Sequence, residues 1–406
     1  MNPNVEKLYE LSRRPSRRII GLMSGTSLDG LDIALCRIEN SGRATRLTLE
    51  NFDTVAYSED IKTEIRRVFA KQTIDFQYLA LLNEWIGTLH GEMILTCLEK
   101  WGVGTEGVDL VASHGQTVMH APKILHQNPK YPNATLQIGD GDHIAVKTGI
   151  ITVSDFRQRH LAAGGEGAPL AVYGDYFLFT NPTENRIMLN IGGIANFTYL
   201  PASGAASEVF VTDTGTGNTL LDAFVRRFFP EKSFDRDAEI ARTGVVLPAL
   251  LAALKDDIFF KKPFQKTTGP ELFSVEYVEG AMQKADITEP SVADLLATLT
   301  RFSAETIADA IEKLFVEKQF TPSVVSQFKI YMSGGGMHNP LLVNTLQEFL
   351  PQLVFKKTDE LGINGDAKEA ILFAILANEC VAGGTTDFGQ RAGVPSVSMG
   401  KISFPN

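Results

Sequence analysis

Arg18-Ile19-Ile20-Gly21-Leu22-Met23-Ser24-Gly25-Thr26-Ser27-Leu28-Asp29-Gly30-Leu31-Asp32-Ile33-Ala34-Leu35-Cys36-Arg37-Ile38 is an apolar run, a polar glycine-rich tip and a second apolar run. The pattern predicts a β-hairpin, with Arg18 to Leu22 as one strand and Leu31 to Ile38 as its return. The unit recurs at 186–200: Ile187 to Ile191, a Gly192-Gly193 turn, then Asn196 to Leu200. Outward from the first hairpin, helical periodicity covers 59–71 and 75–101, and strands are predicted at 108–113, 135–138 and 150–153. Outward from the second, Val209 to Val211 reads as a strand and Thr219 to Phe229 as a helix. Helices follow at 237–255, 274–285 and 290–317. Strands at Phe328 to Met332 and around Val354, a helix from Asn339 and a last helix at 366–380 complete the chain. Alternating strands and helices give an α/β class, and the repeated opening suggests two related lobes. Their boundary falls near 180–187, where Asn181-Pro182-Thr183-Glu184 supplies turn chemistry. The expected domains are an extension (1–17), loose before the fold begins, an N-terminal lobe (18–184) and a C-terminal lobe (185–406). The last segment is a candidate to return to the first lobe.

A chain of 406 residues suits two domains. Its net charge of −10 is a poor match for nucleic acid or an anionic membrane. Cys36, Cys97 and Cys380 are odd in number and widely spaced in apolar contexts, which argues against a disulfide framework and points to a reducing, cytoplasmic setting. The polar, Arg-rich start has no apolar core of a signal peptide, and no 18-residue apolar run is present.

Six stretches carry candidate chemistry. In the first hairpin tip, backbone N–H groups with the Ser24, Thr26 and Ser27 hydroxyls could wrap phosphate oxygens. Asp29 or Asp32 could hold Mg²⁺ directly or through water. The same residues would also make a polar turn. Asp213-Thr214-Gly215-Thr216-Gly217-Asn218 places an acid at a strand end before a helix whose N-terminus could face a phosphate; an Asx-turn is the alternative. Ser333-Gly334-Gly335-Gly336-Met337-His338-Asn339-Pro340 suits a purine lying close to the backbone, with Asn339 as a helix N-cap. Asp155-Phe156-Arg157 followed by Gly164-Gly165-Glu166-Gly167 could be a mobile substrate loop or a surface turn. Ser113-His114-Gly115-Gln116-Thr117 has no metal spacing and fits hydrogen bonds to a sugar. Asn364-Gly365-Asp366-Ala367-Lys368-Glu369 has the form of a capping box, and its local features alone make both acids structural.

Together these stretches resemble the anhydro-N-acetylmuramic acid kinase family, from about residue 19 to Ser398. Gly-Leu-Met-Ser-Gly-Thr-Ser-x-Asp-Gly-x-Asp, Ser-His-Gly-Gln-Thr, Gln-Ile-Gly-Asp (137–140), Asp-Phe-Arg, Gly-Gly-x-Gly-Ala-Pro-Leu, Asn-Ile-Gly-Gly-Ile-Ala-Asn, Thr-Gly-x-Glu-Leu-Phe (268–273) and Pro-Ser-Val (395–397) carry the resemblance. It implies two actin/hexokinase-like (ribonuclease H-like) lobes with a nucleotide cleft between them, ATP and Mg²⁺ as cofactors, and a homodimer. It also implies phosphorylation of O6 of 1,6-anhydro-N-acetylmuramate with hydrolytic opening of the bridge, in cell-wall recycling. By the resemblance Asp213 is the catalytic base. Gly25, Thr26, Ser27, Leu28, Asp29, Gly30, Leu31 and Asp32 form the first phosphate loop, with Gly215, Gly217 and Asn218 in the second. Gly334, Gly335, Gly336 and Asn339 border the adenosine, and Arg157 and Glu369 join His114 and Gln116 at the sugar. Thr216 stands where many members carry Pro, and the extension before Arg18 is unusual. Two alternatives remain at this level: a kinase of another anhydro-sugar such as levoglucosan, and a non-catalytic nucleotide-gated binding module.

Overall fold

The computed structural model describes residues 1–269, 271–363, 365–384, 386–389 and 393–406. Pro270 of the Thr-Gly-x-Glu-Leu-Phe stretch and Asn364 before the last helix lie outside the described residues. Twelve strands occur among those described: β1 (Ser16–Ser24), β2 (Gly30–Glu39), β3 (Arg46–Ala56), β4 (Leu110–Ala121), β5 (Ala134–Ile138), β6 (Thr152–Ser154), β7 (Arg186–Ile191), β8 (Ile194–Leu200), β9 (Phe210–Thr216), β10 (Lys329–Ser333), β11 (Val354–Lys357) and β12 (Lys401–Ser403). The chain divides into two compact units. The first holds 1–180, 205–208 and 366–406, the second 181–204 and 209–365.

The first unit has the strand order β12-β6-β4-β1-β2-β3, with β5 on β4. β1 and β2 form the expected hairpin, antiparallel in the register Ile20↔Leu35 and Leu22↔Ile33, and β1 runs parallel to β4. In the second unit the order is β11-β10-β7-β8-β9, again with an antiparallel hairpin (β7, β8) and a parallel neighbour (β10) on the hairpin's first strand. Each unit therefore runs third-second-first-fourth-fifth across its sheet, the arrangement of a ribonuclease H-like lobe, and the class is α/β.

Periodicity and capping account for the long helices. Phe76–Trp101 starts at Asp75, whose side chain accepts from the Tyr78 N–H, and ends at Gly102 in the left-handed conformation (φ 65°). Its Leu82, Ile86, Ile94 and Leu98 pack under the sheet with Ile20, Leu31 and Val111. In the second unit Val292–Glu317 is capped by Ser291 and buries Ile307, Ile311 and Leu314 against Ile187, Leu189 and Ile330. Among the described residues no helix is long and apolar enough to cross a membrane. All three cysteines are free.

Several elements differ from their sequence reading. Residues Pro3–Arg13 are a helix, not a loose extension: Asn2 caps it, Pro3 occupies its first turn and Leu11 is buried. β3 is an additional strand, whose alternation is broken because Leu35 and Cys36 of β2 face Asn51 and Leu49, leaving Glu50 as an extra bulged residue. The stretch 237–255 is one α-helix only over Pro248–Lys255, where Pro248 fits the first turn. Both Ser-His-Gly-Gln-Thr and Asp213 lie within strands (β4 and β9) rather than just past strand ends. The last helix, Lys368–Ala382, has Ala367 at its N-cap with no side-chain bond, so Asp366 and Glu369 form no capping box.

Candidate active site

In the first unit the hairpin tip is a shaped loop. Leu28 adopts φ 61°, unusual for a side chain with a branched Cγ, and is held there by burial in the core. Leu31 is also buried, so only the backbone of these two could meet a ligand. A Cβ on Gly30 would lie 2.4 Å from the Val55 carbonyl oxygen, which explains the glycine. Thr26, Ser27 and Asp29 are exposed, and Gly25 is half-buried. Ser24 is committed elsewhere: its hydroxyl donates to Gln116 Oε1 and lies 2.9 Å from the Tyr57 hydroxyl. Gln116 is fully buried, and its Nε2 donates to the Gly25 and Thr117 carbonyls, each at 3.1 Å. Its amide is thus spent on the loop, which removes Gln116 from the sugar contacts and Ser24 from the phosphate contacts expected of them.

Asp32 accepts from Thr54 Oγ1 at 2.6 Å. Burial raises its pKa, and the Asp366 and Asp29 carboxylates push it the same way. Such a set of like charges favours a cation. Among the described residues no three His, Cys, Asp or Glu side chains converge into a complete metal cage. A Mg²⁺ ion bound mainly by phosphates and water needs only one or two carboxylates, so Asp32 and Asp29 fit that mode.

Arg157 rides on the helix Phe156–Ala162, which starts after Asp155 in the left-handed conformation (φ 57°). Its Nε donates to His114 Nε2 at 2.7 Å and its Nη1 to the Gly167 carbonyl at 2.6 Å. His114 is held neutral: burial and the Arg157 charge drive its pKa well down, so Nε2 can accept. Its ring packs on Phe373, centroids 4.7 Å apart. Burial lowers the Arg157 pKa to about 10, with Glu369 opposing that shift. Glu369 keeps exposed surface, yet protein crowds it closely enough for desolvation to raise its pKa, against the pull of Arg157. The structure thus brings His114, Arg157 and Glu369 into one cluster. Gly167, in the stretch that reads as a mobile loop, is bonded at both ends, its N–H donating to His160 Nδ1 at 3.0 Å and its carbonyl accepting from Arg157.

In the second unit Asp213 is half-buried on β9. Thr268 N–H donates to its Oδ2 at 2.8 Å, and its own N–H donates to the Lys266 carbonyl at 3.0 Å. Burial lifts its pKa to about 6, while the Thr268 hydrogen bond and the Lys266 ammonium pull the other way. Lys266 sits over the Phe259 ring at 4.1 Å, donates to the Phe259 carbonyl and has its pKa lowered to about 8 by burial. Thr268 Oγ1 is buried with no hydrogen-bond partner among the described residues.

Three glycine stretches meet at one end of this sheet. Gly217 N–H donates to the Gly193 carbonyl (2.7 Å), and Asn218 N–H to the Gly192 carbonyl (2.9 Å). The Gly217 and Asn218 amides of the expected second phosphate loop are therefore bonded internally. A Cβ on Gly217 would lie 2.3 Å from the Gly192 oxygen, and one on Gly334 (φ 81°) 2.7 Å from the Ile191 oxygen. Gly215 adopts φ 148°, a conformation that residues with a side chain rarely take, beside Thr306. Gly335 is open, with only the Asn218 side-chain nitrogen within 4 Å of a Cβ placed there. Gly336 packs tightly on Ile191, and Asn339 caps the next helix by accepting from Leu342 N–H at 3.0 Å. Thr216 is a fully buried strand residue whose hydroxyl has no hydrogen-bond partner among the described residues.

Lys266, Thr268, Tyr57 and His90 were not singled out as site residues from the sequence. Thr268 opens the Thr-Gly-x-Glu-Leu-Phe stretch, but nothing local joins it to Asp213, 55 positions away.

A family profile described as anhydro-N-acetylmuramic acid kinase matches residues 17–403. A protein of that description from Pseudoalteromonas atlantica is 52% identical over 408 residues, with all of both chains covered. One from Pseudoalteromonas translucida is 50% identical, also over all of both chains. One from Caldanaerobacter subterraneus subsp. tengcongensis is 38% identical over 98% of this chain and 100% of its own. A match over nearly the full length, at identities this high, places the chain in the anhydro-N-acetylmuramic acid kinase family.

Proposed function

We propose that this protein is an ATP-dependent kinase that hydrolytically opens 1,6-anhydro-N-acetylmuramate and phosphorylates O6, giving N-acetylmuramate 6-phosphate and ADP. The observation that carries the reading is Asp213: a carboxylate oriented by the Thr268 N–H, with a pKa raised to about 6. A general base works best with its pKa near the operating pH. In this scheme Asp213 takes a proton from a water that attacks the anomeric carbon. The C1–O6 bond breaks, and O6 accepts the γ-phosphoryl group of ATP. The unpartnered Thr268 hydroxyl beside Asp213 suits an ordered water or a substrate hydroxyl. Arg157, His114 and Glu369 are assigned to the sugar: a fixed cation, a neutral ring and a carboxylate suit hydroxyl, amide and lactyl groups.

The loop at 25–32 is assigned to the phosphates, and the open backbone at Gly334 to Gly336 to the adenosine. Gly215, Gly217 and Asn218 support that surface through shape rather than through free amides. Mg²⁺, held by Asp32 and Asp29 directly or through water, would supply charge neutralisation on the transferring group. A cytoplasmic setting, a homodimeric assembly and a role in cell-wall recycling belong to the same proposal.

The test is ADP formation by the purified protein with Mg²⁺. It should depend on 1,6-anhydro-N-acetylmuramate and be absent with levoglucosan or N-acetylmuramate, and the product should carry a 6-phosphate. ADP formation with levoglucosan instead would move the assignment to another anhydro-sugar. No sugar-dependent ADP at all would overturn the kinase reading.

A further inference from the structure

A buried chain of hydrogen bonds ends on the first loop. His90 Nε2 lies 2.7 Å from the Tyr57 hydroxyl, which lies 2.9 Å from Ser24 Oγ. Ser24 bonds Gln116 Oε1, and Gln116 Nε2 reaches the Gly25 and Thr117 carbonyls. His90, Tyr57, Ser24 and Gln116 are each 3% exposed or less.

The chain has one direction, and elementary hydrogen-bond accounting fixes it. The Gly25 and Thr117 carbonyls only accept, so the Gln116 amide must face them with its NH₂ and present its oxygen to Ser24. Ser24 therefore spends its proton on Gln116 and accepts from Tyr57. Tyr57 spends its proton on Ser24 and accepts from His90. His90 must then carry its proton on Nε2, leaving Nδ1 bare. Among the described residues Nδ1 is indeed buried without a partner. Burial also drives the His90 pKa down to about 4, which keeps the ring neutral.

We infer that His90 and Tyr57 are positioning residues for the nucleotide: through Ser24 and Gln116 they fix the Gly25 carbonyl, and with it the loop assigned to the ATP phosphates. This rests on the reading of residues 25–32 as a phosphate loop. A merely structural role would lower stability; a positioning role raises the KM for ATP and spares kcat.

The test combines steady-state kinetics with the histidine ¹⁵N spectrum of the full chain. Tyr57→Phe and His90→Leu should each raise the KM for ATP about tenfold with kcat within about threefold, the pattern of lost uniform binding. His90→Gln, whose side-chain NH₂ can reach Tyr57, should recover most of the loss. In the unmodified protein the ¹⁵N signals absent from His90→Gln should report a neutral ring protonated on Nε2 at pH 7. The double variant Thr26→Ala/Ser27→Ala should also raise the KM for ATP. An unchanged KM in that double variant overturns the phosphate-loop reading and this inference with it. A raised KM there, with Tyr57→Phe and His90→Leu like the parent, overturns the inference alone. Should Tyr57→Phe or His90→Leu fail to fold, the tautomer decides: a proton on Nδ1 overturns the inference, and one on Nε2 supports it.

Discussion

Asp213→Asn should remove product formation, lowering kcat by about a thousandfold, within the range of ~10²–10⁴ that a general base contributes. The substitution keeps shape and keeps an acceptor for the Thr268 N–H (2.8 Å in the parent), so the local geometry survives. What it removes is the basic oxygen. ATP affinity, measured by titration of the variant, should stay within about threefold, because a residue that acts only in the transition state does not contribute to ground-state binding. The parent should also show an acidic limb in kcat/KM. The base must be ionised to work, and its pKa is raised to about 6, so activity falls as the pH drops through 6. Turnover near the parent rate in Asp213→Asn would exclude Asp213 as the base. Turnover flat from pH 5 to 8 in the parent would exclude a titrating carboxyl there.

The parts of this architecture that were legible in the sequence are those written locally. Apolar runs on either side of a glycine-rich tip marked both hairpins, periodicity marked the helix observed at 76–101, a long helix was read where 292–317 forms, and the Asn339 cap marked the helix observed at 340–349. Asn339 could be read as a cap because a cap and its target lie three residues apart. What was not legible depends on residues far apart in the chain. Gln116 looks like a sugar ligand until Gly25, 91 positions away, occupies its amide. The Asp366 to Glu369 spacing matches a capping box, yet the helix begins at Lys368, which puts Ala367 at the N-cap and Ala370 at the third helical position, neither with a side chain that can cap. The Pro3–Arg13 helix was missed for a related reason. Its one fully buried apolar residue, Leu11, gives no periodic stripe, and what ties the segment down is Arg17, 2% exposed and donating to Asn378, Asn40 and the Leu11 carbonyl.

The largest expected loss of stability comes from a single methyl group. Gly21 sits on β1 between Ala34 of β2 and Ala112 of β4, directly against the last helix. A Cβ there would lie 1.9 Å from the Ala370 carbonyl oxygen, 2.8 Å from its carbon and 3.1 Å from Ala374 Cβ. These first two atoms are backbone in the first turn of a buried helix, so no rotamer change relieves the contact. Either the helix lifts off the strand or the sheet bends, and both open the packing of Ile371, Phe373 and Ala374, all buried. Overpacking of this kind costs about 3 kcal/mol, at the upper end of the usual range. For a unit of this size that lowers Tm by roughly 6–12 °C. The same helix carries Glu369 and Phe373, so the His114–Arg157–Glu369 cluster should loosen together with the fold. Gly280→Ala is the matched comparison. Gly280 lies inside the helix Val275–Lys284 with nothing within 4 Å of a Cβ, and alanine is better than glycine in a helix by about 1 kcal/mol. The same chemical change should therefore raise Tm at one glycine and lower it sharply at the other. Equal melting of Gly21→Ala and the parent would mean that the last helix does not rest on β1 as closely as 1.9 Å requires.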